Sequence, residues 1–95
     1  MENKFDISNF INTTTEQSVT ANLVEREKQR RKELKLSRLD LSKRSGVSYS
    51  SIRRFESTGD ISLASLIKIA STMDCLKNFN ELFGNKIITN LKDYK

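Results

Sequence analysis

The 95-residue chain has no His, no Trp and no Pro, a single Cys and three Gly. Without an imidazole, a Ser or Cys nucleophile has no conventional base, and a zinc cage has too few of the ligands it prefers. One Cys forms no intramolecular disulfide, which argues against a stapled secreted scaffold and for a reducing compartment. Apolar runs never exceed two residues, as at Ile87-Ile88, far short of a membrane span. The N-terminus lacks the basic-then-apolar layout of a signal peptide. The expectation is one small, soluble, cytoplasmic domain that binds and does not catalyse, with no cofactor and no metal.

The charge present is unevenly placed. Lys and Arg number 17 against 12 Asp and Glu, a net charge of +5. Residues 1–24 carry one Lys and three acids, residues 25–58 eleven bases and five acids, and residues 59–95 five bases and four acids. The excess therefore lies in the middle third, at +6. A local basic block attracts polyanions and is the electrostatic footprint of nucleic-acid binding. A solvated helix face has the same composition, so charge alone leaves both readings open.

Helical signals dominate the rest. Residues 1–14 read as an N-terminal extension in which Phe5, Ile7, Phe10 and Ile11 show no helical period. The run Thr13-Thr14-Thr15-Glu16 offers hydroxyl N-caps, with Glu16 three after Thr13 in capping-box spacing, and predicts a long first helix to about Lys35, with a thin inner stripe of Val19, Leu23 and Leu34. Ser37 predicts the cap of a short second helix ending at Gly46, with Leu41 inside and Leu39 a lesser candidate. Ser48 caps a third helix to about Glu56. Gly59 and Asp60 form a turn, and Ser62 starts a fourth helix through Leu63, Leu66, Ile67, Ile69, Ala70 and Met73. A fifth helical turn around Phe79, Leu82 and Phe83 stops at Gly84. Residues 85–95 form a tail, read as a short strand or extended arm, which leaves 15–84 as the domain.

The third helix has two chemically distinct faces. With Tyr49 at zero and 100° per residue, Arg53, Ser50 and Arg54 fall at roughly 40°, 100° and 140°. Ser51, Ile52, Phe55 and Glu56 share the opposite arc. The first face offers two guanidinium groups, a phenol and a hydroxyl, with no acid. Such groups donate to guanine O6 and N7 or to phosphate. Helix, Gly turn, helix over residues 37–56 is helix-turn-helix geometry, in which the second helix enters the major groove. An ordinary αα-hairpin in a small bundle fits the same periodicity.

The stretch LSRLDLSKRSGVSYSSIRRFESTGDISLASLIKIASTM resembles the lambda repressor-like, or XRE-type, helix-turn-helix domain. Leu36, Ser37, Leu41, Ser45, Gly46, Val47, Ser48, Ile52, Phe55, Glu56 and Gly59 stand at the family's spacing, followed by Leu63, Leu66, Ile69 and Ala70. The likeness spans about residues 23–76. It implies an all-α, five-helix domain that binds double-stranded operator DNA as a homodimer and represses transcription, with the third helix (48–56) in the major groove. By the same resemblance, Tyr49, Ser50, Arg53 and Arg54 face base edges and nearby phosphates. Ser37, Arg38, Ser48 and Lys43 or Arg44 lie near phosphates, and Arg31 and Glu56 form a partly buried salt bridge. Departures also matter. Arg38 replaces the family's Gln, Ser42 its Ala, and Glu27 a hydrophobic residue of the first helix, which predicts an exposed position or one facing a partner.

A narrower likeness, over RRFESTGDISLASLIKIASTMDC and FNELF, is to HipB-type antitoxins, small regulators paired with HipA-type kinase toxins. It implies a second reading, a module that chiefly neutralises a HipA-type toxin, with the tail in dimerisation or toxin contact. Other features have plainer explanations. Cys75 is expected as a small core residue, and Phe79, Leu82 and Phe83 as core or dimer contacts. The basic run 26–35 lacks the continuous apolar face of a membrane-surface helix.

Overall fold

A computed structural model describes residues 14–85. The expectations for Thr13, for Phe5, Phe10 and Ile11, and for a strand or arm in the tail fall outside the described residues. Among those described, five helices follow in order: α1 (Glu16–Glu33), α2 (Arg38–Ser45), α3 (Tyr49–Thr58), α4 (Leu63–Thr72) and α5 (Leu76–Glu81). No strand occurs among them, and no helix is long and apolar enough to cross a membrane.

Local chemistry starts each of the first four helices. The N-cap of α1 is Thr15: its hydroxyl accepts from Ser18 N at 3.0 Å and Ser18 Oγ accepts from Thr15 N at 2.9 Å. Glu16 instead sits in the first turn, where its charge suits the helix dipole. At α2, Ser37 Oγ accepts from Asp40 N and Asp40 Oδ2 accepts from Ser37 N, both at 2.9 Å. Hydrogen bonding to the carboxyl from the Ser37 backbone N–H first, then from the Ser37 hydroxyl, holds Asp40 below its ordinary range. Ser48 and Ser62 cap α3 and α4 through Ser51 N and Ser65 N.

The stops divide into two kinds. Gly46 (φ 82°) and Gly59 (φ 84°) end α2 and α3 in the left-handed region, as glycines at these positions predict. In α3 the glycine stop carries the helix to Thr58, two residues beyond the expected end. The helices α1 and α4 stop without glycine. Lys35 (φ 59°) and Asp74 (φ 61°) adopt the left-handed conformation instead. Leu36 N then reaches back to Arg31 O at 3.0 Å and Cys75 N to Ala70 O at 2.8 Å, the 6→1 bond of a Schellman motif. The turn after α5 likewise places the left-handed residue at Phe83 (φ 67°), not at Gly84.

Packing places α3 against α1 and α2, and α4 against α2 and α5. Leu36, Leu41, Val47, Ile52, Ile69 and Met73 form the core, with Ile61 and half-buried Cys75 against it. Phe55 is buried as well. The inner stripe of α1 differs from expectation. Val24, Glu27 and Arg31 are buried, whereas Val19 and Leu34 are exposed and Leu23 is half-buried. Residues 24, 27 and 31 share one helical face, and the two charged members find carboxylate and guanidinium neighbours inside. In α4, Ile69, Ala70 and Met73 are buried, Leu66 and Ile67 half-buried, and Leu63 exposed. Leu39 is exposed, as are Leu82 and Phe83 beyond α5, while Phe79 is half-buried.

Ile52 joins the two middle helices to the core and is fully buried. Ile52→Ala is expected to cost about 2–5 kcal/mol of unfolding free energy, the range for deleting a large aliphatic side chain in a packed core. A urea titration checks it. A loss below about 1 kcal/mol, within surface-substitution range, would show that α3 is not seated as described.

Candidate nucleic-acid interface

The orientation of α3 is set by what it buries. Ile52, Phe55 and Glu56 point inward, which turns Tyr49, Ser50, Arg53 and Arg54 out to solvent. Glu56 is the unusual member of the inner set, because its carboxylate is 98% shielded, at 2% side-chain exposure. Arg31 Nε donates to Oε2 and Nη2 to Oε1, both at 2.9 Å, a two-pronged clamp between α1 and α3. The remaining terminal nitrogen, Nη1, donates to Leu36 O at 3.1 Å, tying in the turn after α1. Arg38 Nε of α2 also donates to Glu56 Oε1 at 2.9 Å. Three helices therefore converge on one carboxylate.

Glu27 lies beside this cluster and is buried, neither exposed nor free to face a partner. Its nearest cation is Arg31 Nε at 4.0 Å, and no donor reaches either of its oxygens. Burial first, then the neighbouring Glu56, push its carboxyl up to about 8, against the pull of Arg31 and Lys28. In the protonated form Glu27 can donate to the Glu56 carboxylate. For Glu56, burial works upward, but hydrogen bonds from Glu27, Arg31 and Arg38 outweigh it and hold the group at about 2.

Outside the clamp, the predicted site residues form two groups. Tyr49, Ser50, Arg53 and Arg54 share the exposed face of α3, with the Arg53 guanidinium 5.9 Å from the Tyr49 ring centroid, within cation–π range. The Arg38 side chain is 42% exposed and its charged form is favoured by Glu56 first, then by Tyr49. Arg54 Nη2 meets Asp60 Oδ2 at 2.7 Å. A shallow concavity is lined by Lys28, Arg38, Ser50, Arg53, Arg54, Glu56 and Ser57, which brings cations from α1, α2 and α3 together. The second group is more dispersed. Lys43 and Arg44 are exposed in the last turn of α2, Ser37 is exposed at the start of α2, and Ser48 at the start of α3. The hydroxyls of Ser37 and Ser48 are already engaged in capping.

Lys28 escaped the sequence reading. Its signal is positional: Lys28 stands three residues before Arg31, which places it on the flank of α1 that faces α3. Its Nζ is 3.4 Å from Glu25 Oε2, an i,i+3 surface pair. Among the described residues, no cluster of three or more Asp, Glu, Cys or His side chains is placed to hold a metal ion.

Against known proteins, residues 28–76 match the family model described as helix-turn-helix, a span that covers just over half of the chain. Comparison with curated proteins and with solved structures gives no match.

The carboxyl pair contributes a pH dependence to the fold. Between the ordinary carboxyl value of 4.5 and about 8, the folded chain keeps a proton on Glu27 that the unfolded chain has lost. The folded state binds more protons in that window, so this contribution to stability falls as pH rises through it. Glu56 acts with the opposite sign: its contribution is complete above 4.5 and is lost as pH falls toward about 2. Urea titrations from about pH 5 to about pH 9 are expected to show declining stability, by on the order of 1–3 kcal/mol, the cost of an unsatisfied buried polar group. Glu27→Gln, neutral and still able to donate to Glu56, is expected to flatten that slope. A slope unchanged in the variant would assign it to another group.

Proposed function

The chain belongs to the helix-turn-helix family of XRE, lambda repressor-like type, whose members are DNA-binding transcription regulators, and we propose that it is a dimeric repressor of its own operon. In this reading α3 lies in the major groove of operator DNA. The observation that carries it is the exposed face of α3, with Tyr49, Ser50, Arg53 and Arg54 projecting from a helix whose buried side is clamped to α1 and α2. In the proposed complex Arg54 and Ser50 approach base edges, where a guanidinium matches O6 and N7 of guanine. Arg53, Arg38 and Lys28 form the flank that neutralises phosphates. Ser37, Ser48, Lys43 and Arg44 extend the phosphate contacts along the ends of α2 and α3, with the backbone N–H groups at the start of α3 contributing. The protein acts in the cytoplasm, as a binder with no chemistry of its own.

The exposed apolar side chains at the far end, Leu76, Leu82 and Phe83, support a protein contact there, first of all with a second copy of the chain. The same end supports a second reading, an antitoxin that neutralises a HipA-type kinase toxin while repressing its operon. Co-expression with the neighbouring gene product tests that reading: a stable complex is its expected result, and a regulator that purifies alone and binds DNA tightly goes against it.

Mobility-shift titrations test the DNA reading. Affinity is expected to fall steeply with salt, since each neutralised phosphate adds about −0.9 to the log–log slope. Lys28→Ala should weaken binding evenly across sequences and flatten the slope by about one unit. Arg54→Ala should cost about 1–3 kcal/mol and relax the preference at one base pair. A salt-independent affinity would overturn the proposal.

A further inference from the structure

The exposed face of α3 is cationic and hydroxylic, yet an exposed carboxylate stands at its edge. Asp60 is the second residue after the helix, and its side chain is 62% exposed. A carboxylate beside a DNA-facing surface repels phosphates. Its surroundings show how it is held. Gly59 takes the left-handed conformation (φ 84°) and turns the chain back along the last turn of α3. Asp60 N donates to Thr58 Oγ1 at 3.1 Å, Thr58 Oγ1 donates to Arg54 O at 2.7 Å, and Arg54 Nη2 donates to Asp60 Oδ2 at 2.7 Å. These three bonds close a ring that begins and ends on Arg54. The turn fixes the backbone of Asp60 and so the origin of its side chain, from which the carboxylate meets the guanidinium.

As an exposed ion pair, with Arg54 at 68% side-chain exposure, the contact contributes little to folding. Its effect lies in conformation. A free Arg side chain samples many rotamers and loses that freedom when it binds, whereas a side chain already held by a supporting shell loses less. One edge of the guanidinium is engaged by Asp60, which leaves its other donors for a base edge. We propose that Asp60 is a positioning residue for Arg54, raising base discrimination at the contacted base pair at the expense of general affinity for DNA. This rests on the reading of Arg54 as a base contact.

The probe is a duplex library with a randomised core, bound by the full chain and read by sequencing, with affinities then measured on the selected duplex and on a scrambled one. Asp60→Asn removes the charge, and Thr58→Val opens the ring while leaving every charge in place. Both variants are expected to keep the thermal midpoint of the wild type. Asp60→Asn is expected to bind scrambled DNA a few-fold more tightly and to lose up to about fivefold in preference at one base pair, the most that an exposed ion pair can supply. Thr58→Val is expected to lose preference at the same base pair with scrambled affinity unchanged. If Asp60→Asn strengthens binding equally on both duplexes and Thr58→Val changes nothing, Asp60 is only a repelling charge and the proposal is overturned. Arg54→Ala separates the two levels. A loss of preference at that base pair in Arg54→Ala, without one in Asp60→Asn, removes the positioning role and leaves the base contact standing. An equal loss on both duplexes in Arg54→Ala removes the base contact and the positioning role together.

Discussion

One buried carboxylate fixes how the exposed face of α3 is presented. Glu56 takes both prongs of the Arg31 guanidinium from α1 and a third bond from Arg38 at the head of α2. Salt bridges of this kind contribute weakly to net stability, because desolvating the charges offsets most of their attraction. Removing one partner is a different matter, since it strands the other charge in a water-poor site at about 3–5 kcal/mol. The clamp therefore acts chiefly on geometry. Glu56 is adjacent to Phe55 and four residues after Ile52, so anchoring it and burying them sets the rotation of α3 about its own axis. At 100° per residue, that rotation leaves Arg53 and Arg54 nowhere to point but outward.

Glu27 sharpens this arrangement. An apolar side chain at its position would pack without electrostatic consequence, whereas a carboxyl beside Glu56 remains comfortable only with a proton between the two groups. The same cluster that orients α3 thus contributes a pH dependence to the fold. Arg38 extends the cluster to the surface, with its Nε inside on Glu56 and its guanidinium partly exposed beside Tyr49. The core's charge network and the surface that would meet DNA share a side chain.

Much of this was legible in the sequence, for reasons that differ by element. Ser37, Ser48 and Ser62 announce helix starts through local hydrogen bonding, and Gly46 and Gly59 announce stops because left-handed backbone suits glycine best. The two faces of α3 follow from its period alone. What the sequence hid was long-range. Lys35 and Asp74 adopt left-handed turns that their side chains do not favour, held there by 6→1 backbone bonds and by packing. The periodicity of α1 concealed its inner stripe because Glu27 and Arg31 are charged, and burial of a charge depends on partners distant in sequence; only the family resemblance paired Arg31 with Glu56. Glu56 lies 25 residues from Arg31. Lys28 was missed for the same reason, since its place beside Arg53 and Arg54 exists only once α1 crosses α3.

In the proposed complex α3, held by the Glu56 clamp, reads guanines from the major groove. Dimethyl sulfate reactivity of the bound, selected duplex tests it directly, because the reagent methylates guanine N7 in the major groove and adenine N3 in the minor groove. Protection of guanine N7 within the site by the wild-type chain is expected, with recovery of reactivity at one of those guanines when Arg54 is replaced by Ala. Full reactivity at every guanine N7, with protection confined to adenine N3, would contradict it.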